Sequence, residues 1–284
     1  MSTEYTKKER IVLSIMLCFV LAFLLFLHFF PKYEGDLDET TAELFEMAVS
    51  RLLGGAIFLC LLIFLGYPIL SFRRITARGL LLSLPALLVA VNNFPILGLL
   101  TGTVYVEAEL PRILLFGVSC VGIGFFEEIA FRGVVFPVLL ERIPKALAKK
   151  EWKSKRVSPE TLSFLLSIVS TSAVFGLVHT LNLFAGGSLG GVLLQVGYSF
   201  LIGGMCALVL LKTRCVWLAV LIHAVYDFGG MMFTYLCNGK LWDTPTVVLT
   251  AVLGVLTAIF YVVLLLRVKP EEIQSLLRRE ESGS

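Results

Sequence analysis

Apolar residues fall in long continuous runs along the chain, bounded by charged residues or by clusters of Gly, Pro and Asn, and not in alternating or short amphipathic pieces. Runs of about 20 apolar residues match the thickness of a bilayer's hydrocarbon core. The pattern predicts eight membrane helices, at 11–30, 52–72, 79–100, 113–140, 162–183, 189–211, 216–236 and 246–266. The third is interrupted in its second half by Asn92, Asn93 and Pro95. Without a period of two, and with every helix able to satisfy its own backbone hydrogen bonds, helices are expected over barrel strands. The fold class read from the pattern is all-α, a polytopic membrane bundle of about eight transmembrane helices.

Composition agrees and charge adds an orientation. Of 284 residues, 57% are hydrophobic and 16% charged, with a mean hydropathy of +0.90. A soluble domain carries about 25% charge, so disorder, nucleic-acid binding and an ordinary soluble enzyme are excluded as readings. The net charge of +3 matters less than its placement. Alternate connections, counted from the N-terminus, hold 19 of the 24 Lys and Arg, seven of them between Arg142 and Arg156. The opposite connections hold only Lys32, Arg51, Arg112 and Lys240, beside an acidic stretch that includes Glu34, Asp36, Asp38, Glu39, Glu43 and Glu46. By the positive-inside rule both termini are expected in the cytoplasm, as an even number of spans requires, with the plasma membrane as the expected location.

The first run follows Lys7-Lys8-Glu9-Arg10 without a small-residue cleavage site and reads as a retained anchor. Cys18, Cys60, Cys120, Cys206, Cys215 and Cys237 show no C-x-x-C spacing and read as small apolar fillers. The basic connection from Glu141 to Pro159 is expected against anionic headgroups, and Glu271 to Ser284 as a solvated or interfacial end.

Candidate chemistry lies in the few charges left inside the spans, where an ionisable group marks function by default. Span four holds Glu127, Glu128 and Arg132; span five holds His179, four residues after Phe175; span seven holds His223 and, four residues later, Asp227. Glu128 and Arg132 share a helical face in the favourable acid-before-base order. Glu127, about 100° away, must point elsewhere. The expected division is that Glu128 and Arg132 pair while Glu127 faces a cavity. Asp227 can accept a hydrogen bond from one ring nitrogen of His223 and fix its tautomer. The bland alternatives are a buried ion network, a packing histidine and a helix-stabilising pair.

The order Glu127-Glu128-x-x-x-Arg132, Phe175-x-x-x-His179 and His223-x-x-x-Asp227, each on its own membrane helix, resembles the CPBP family. That family comprises the CAAX proteases that trim prenylated proteins and the Abi-like bacterial proteins linked to bacteriocin processing and immunity. The resemblance covers residues 112–236, flanked by helices one to three in 1–111 and by helix eight with its tail in 237–284. It implies a glutamate-dependent intramembrane endopeptidase acting near the terminus of a peptide or lipidated protein. Glu127 would be the general base, His179 would help hold the attacking water, and His223 with Asp227 would stabilise the oxyanion. Glu128, Arg132 and Phe175 would support them. Asp227 stands where the family often has Asn, and an ionised Asp would repel an oxyanion, so it either carries a proton or acts by orienting His223.

No cofactor is implied by the resemblance. Zinc held by Glu127, His179 and His223 stays open, since two histidines and a carboxylate form a known catalytic set. The partners expected are membrane lipid and a peptide or lipidated protein substrate, with no nucleic acid. Gly186-Gly187-Ser188-Leu189-Gly190 satisfies G-x-S-x-G but lacks the strand-to-helix turn of a nucleophile elbow, and it reads as a loop. A noncatalytic immunity or scaffold protein and a proton-coupled transporter are the competing functions, the latter without the expected repeated halves. At ~1.5 Å per residue, Glu127, His179 and His223 lie roughly 20, 26 and 10 Å from the cytoplasmic ends of their helices. They meet only if the fifth helix begins before it enters the membrane.

Overall fold

The computed structural model describes residues 33, 35–149, 159–184, 186–239 and 244–277. The first expected span, 11–30, lies outside the described residues, as do residues 150–158 of the basic connection. Elsewhere the chain is helical, and six helices among the described residues are long and apolar enough to cross a membrane.

Helix α1 (Glu39–Leu65) begins at Asp38, whose carboxylate accepts the Thr41 N–H at 3.2 Å, and ends at Gly66, whose left-handed φ of 71° suits glycine. The sequence expectation placed this span at 52–72. It starts earlier because an apolar-run rule stops at charges that a helix carries on one side, so Glu39, Glu43, Glu46 and Arg51 belong to the helix and not to a connection. Helix α2 (Ala77–Asn92) is capped by Thr76, and the Asn92, Asn93, Pro95 cluster ends it. What was read as the end of a long third span is a separate short helix, α3 (Ile96–Thr101). The two asparagines are cross-links: Asn92 Nδ2 donates to Thr250 Oγ1 at 2.9 Å and Asn93 Nδ2 to the Tyr226 carbonyl at 2.8 Å.

Strand β1 (Val104–Val106) leads into α4 (Leu110–Glu128), which widens into a π-helical stretch at Ile129–Val135 and continues as α5 (Phe136–Lys149). Helix α6 (Pro159–Val178) ends in a 3-10 turn, His179–Leu183. Helix α7 (Leu189–Thr213) is capped by Ser188, whose Oγ accepts the Gly191 N–H at 3.2 Å, so the serine of the G-x-S-x-G string is a helix cap. Helix α8 (Val216–Tyr235) runs into β2 (Cys237–Gly239), which pairs antiparallel with β1. That small ribbon fastens the start of α4 to the end of α8. Helix α9 (Thr244–Leu266) lies at the edge of the bundle, with 11% of its apolar window buried.

The tail was expected as a solvated or interfacial end, and α10 (Pro270–Leu277) within it docks on the bundle, with Leu276 fully buried and Lys212 Nζ 2.8 Å from Glu272 Oε2. The amphipathic spacing of Ile273, Leu276 and Leu277 gives the helix an apolar face that the short polar stretch concealed.

Two apolar clusters form the interior. One gathers Leu44, Phe116, Cys120, Met232 and Leu236; the other includes Phe58, Leu62, Phe126, Ile129 and Ile222. A polar layer separates them, crossing α1 at Arg51, α4 at Glu127 and Glu128, and α8 at His223 and Asp227.

Candidate active site

Helix α4 reaches the polar layer between α1 and α8, and small residues bring the backbones close. A Cβ on Gly122 would stand 3.4 Å from Arg51 Cβ, and one on Gly124 would come within 2.8 Å of the Val220 carbonyl and 3.1 Å of the Ala224 N–H nitrogen. Ser119 Oγ adds a hydrogen bond to the Leu44 carbonyl at 2.9 Å. This approach carries Glu127 and Glu128, at the end of α4, to His223 on α8.

Glu128 and Arg132 are both fully buried, with Glu128 Oε1 3.1 Å from Arg132 Nη1. They form the expected ion pair. The π-helical stretch that holds Arg132 leaves Gly133 against Leu62, where an added Cβ would stand 2.9 Å from Leu62 Cδ2. π turns inside α-helices are frequent at functional sites. The Arg132 guanidinium lies over the Phe175 ring at 4.3 Å, and a Cβ on Gly203 would reach within 2.9 Å of Nη2. A buried cation here is balanced by one carboxylate and one aromatic face.

The same Glu128 oxygen lies 2.7 Å from His223 Nδ1. Here the structure departs from the sequence expectation. Asp227 was expected to orient the histidine through its four-residue spacing, but the close hydrogen bond to Nδ1 is taken by Glu128 from another helix. Asp227 Oδ2 instead lies 3.4 Å from Nε2, and Glu127 Oε2 lies 3.7 Å from the same nitrogen. A helical spacing rule finds neighbours on one helix and cannot see a partner delivered by a second.

Glu127 and Asp227 are the accessible carboxylates of the group, with side chains 12% and 17% exposed against 0% for Glu128. Glu127 is therefore the one of the adjacent glutamates that opens toward space, as its place on the helix requires. His179 opens the 3-10 turn after α6 and is half-buried. The Phe175 ring meets the imidazoles of His179 and His223 edge-on, at 5.4 and 5.9 Å between centroids. One phenyl ring thus positions two histidines and a guanidinium.

The depths that conflict on paper do not keep these residues apart, because the helices are longer than the spans expected. The helix from Leu110 to Pro144 has 35 residues, about 50 Å, far more than a bilayer core. Within the bundle Phe175 meets both His179 and His223, and Glu127 Oε2 lies 3.7 Å from His223 Nε2, so the three residues share a level.

One charge in the layer had been assigned to a connection. Arg51, in the middle of α1, places its guanidinium carbon 5.4 Å from the Phe126 ring centroid, and its charge acts on both His179 and Asp227. The signal was present in the sequence as a lone Arg between Ala48 and Phe58. It went unused because the span was begun after it. As for a metal, no set of three His, Cys, Asp or Glu side chains among the described residues has an arrangement able to hold an ion.

Comparison with known protein families gives a match over the segment that holds the site. Residues 109–229 match the model of the Rce1-like family, type II CAAX prenyl endopeptidase. No curated protein and no solved structure matches the chain. The matched segment runs from the start of α4 into α8 and contains Glu127, Glu128, Arg132, Phe175, His179, His223 and Asp227. The chain is thus a polytopic helical membrane protein whose segment 109–229, with every motif residue in it, is similar to the Rce1-like type II CAAX prenyl endopeptidases.

Proposed function

We propose that the protein is an intramembrane endopeptidase that cuts a prenylated peptide or protein near its C-terminus with a water activated by Glu127. The observation that carries the reading is the unequal state of the adjacent glutamates. Glu128 is sealed between Arg132 and His223 Nδ1, whereas Glu127 stays accessible beside Nε2. A base needs access to water, and a supporting group needs fixed partners.

In this mechanism Glu127 takes a proton from a water that His179 helps to hold. The hydroxide adds to the scissile carbonyl, and the carbonyl oxygen gains the negative charge. Glu128 accepts from Nδ1–H and fixes the ring, and His223, working as an imidazolium with a proton on each nitrogen, points Nε2–H at the developing oxyanion. Glu127 then passes its proton to the leaving amine as the C–N bond breaks. Donors held in a water-poor site stabilise such charge strongly because they need no reorganisation. Hydrolysis through these groups, as proposed, needs no metal.

A lipidated substrate is favoured over a soluble peptide by a groove between α6 and α7. It has a volume of about 740 Å³ and is lined by Gly176, Leu177, Leu193, Leu194 and Tyr198 among others. Gly176 adjoins Phe175, and Tyr198 packs 6.3 Å from Tyr226, the neighbour of Asp227. An isoprenoid can lie there with its peptide at the site. The charge pattern supports cytoplasmic termini; with the protein in the plasma membrane, tags at either end that label in intact cells would contradict that orientation.

The test is cleavage of a farnesylated peptide by purified protein in detergent. Glu127→Gln should lower kcat by about 10³-fold or more, and His223→Ala and His179→Ala by about 10²-fold. An unprenylated copy of the peptide should be a poorer substrate, and a chelator should have no effect. Cleavage that survives Glu127→Gln, or stops with chelator, overturns the mechanism.

A further inference from the structure

The polar layer holds one charge outside the three motifs. Arg51 lies on α1 between Leu44, in one apolar cluster, and Phe58, in the other. Its side chain starts beside Gly122 and ends against Phe126, so it follows α4 for one turn and stops at the residue that precedes Glu127. Its Nε is buried without a hydrogen-bond partner, and among the described residues no carboxylate forms an ion pair with it. An arginine inside a membrane is costly and faces a partner or a cavity. The Phe126 ring answers only part of its charge, and the donors of the guanidinium fork remain for an anion that arrives from outside. Planar, bidentate geometry makes a carboxylate the natural ligand.

We infer that Arg51 receives the free α-carboxylate of the substrate's C-terminus and thereby sets the short distance from that terminus at which Glu127 cuts. The inference rests on the endopeptidase reading above, and it adds the group that recognises the chain end. An internal peptide segment offers no such anion. A substrate seated in this way holds its scissile bond at Glu127 while its terminal charge is neutralised in surroundings that could not otherwise accept it.

The test uses a farnesylated peptide with a free C-terminal carboxylate and the same peptide with a C-terminal amide. Wild-type protein should favour the carboxylate in kcat/KM by about tenfold or more, mainly through KM, as expected for a charge-assisted hydrogen bond. Arg51→Gln should bring that ratio close to one, and Arg51→Lys should leave it intermediate. Equilibrium binding of both peptides to Glu127→Gln protein, with and without Arg51→Gln, should show the same change. A wild-type ratio near one, or a ratio unchanged in Arg51→Gln while both peptides lose activity together, overturns the inference and leaves Arg51 as a counter-charge to Asp227. If wild type cleaves neither peptide, the peptidase reading fails by itself. Binding then decides the role of Arg51: a carboxylate preference abolished by Arg51→Gln supports it, and the absence of a preference rejects it.

Discussion

At the scale of residues, one imidazole is held by three carboxylates that differ in what else they touch. Glu128 also pairs with Arg132 and is sealed, while Glu127 and Asp227 share the opposite nitrogen of His223 and keep some exposure. Asp227 is the residue whose chemistry the proposed mechanism constrains most, because a carboxylate 3.4 Å from Nε2 opposes an oxyanion unless it carries a proton. Asparagine has nearly the same shape, donates a hydrogen bond and cannot ionise. Asp227→Asn should therefore keep most of the activity on a farnesylated peptide, whereas Asp227→Leu should lower kcat by about 10²-fold. Equal losses in the two variants, measured as single-turnover rates, would show that the carboxylate itself is required. The motif residues were legible in the sequence because charge in an apolar span is rare. Their partners were legible only within a helix: the Glu128–Arg132 pair follows from spacing, while the Glu128–His223 contact joins two helices and does not.

At the scale of elements, the site depends on how closely α4 and α8 cross. Gly124 permits that approach, since a Cβ there would meet the backbone of Val220 and Ala224. Backbone cannot yield as a flexible side chain can, so Gly124→Val must push the helices apart and stretch the 2.7 Å contact between Glu128 and His223. The expected outcome is at least a tenfold loss of activity together with a stability loss of about 1–3 kcal/mol, typical of overpacking. Gly254→Ala on α9, where an added Cβ meets nothing within 4 Å, should change neither. Thermal unfolding and peptide cleavage of both variants check the claim, and a fully active Gly124→Val protein would refute it. The period and length of the apolar runs revealed the start of α4 and the helices from α6 to α9 to within a few residues, while the polar end of α5 ran on past the expected 140 to Lys149. They misplaced the start of α1, because a helix tolerates charge on one side and an apolar-run rule does not.

At the scale of the whole molecule, distant segments are tied by a few polar contacts around the apolar clusters. One is the clamp between Lys212, at the end of α7, and Glu272 on α10. Burial pushes the Glu272 carboxyl upward, but the Lys212 ammonium and the Lys269 N–H outweigh it and hold the group below its ordinary value. A depressed folded-state value means that the stabilisation is present above the unfolded value of about 4.3 and is lost as pH falls through the folded one. Protection factors of the α10 amides, taken relative to intrinsic exchange at each pH, should therefore be high at neutral pH and fall below about pH 4, and those of Glu272→Gln should be low at both; protection independent of pH in the wild type would discount the clamp. The sequence by itself determined that the chain spans a membrane and which charges stand inside it, because the cost of placing charge in hydrocarbon is written residue by residue. It also determined the family resemblance, since that rests on residue types at helical spacings. Only the tertiary structure decided that Glu128 orients His223, that Arg51 joins the polar layer and that α10 docks. Those facts depend on which faces of separate helices meet, and that is set by close packing around small residues such as Gly122 and Gly124, whose effect no local pattern records.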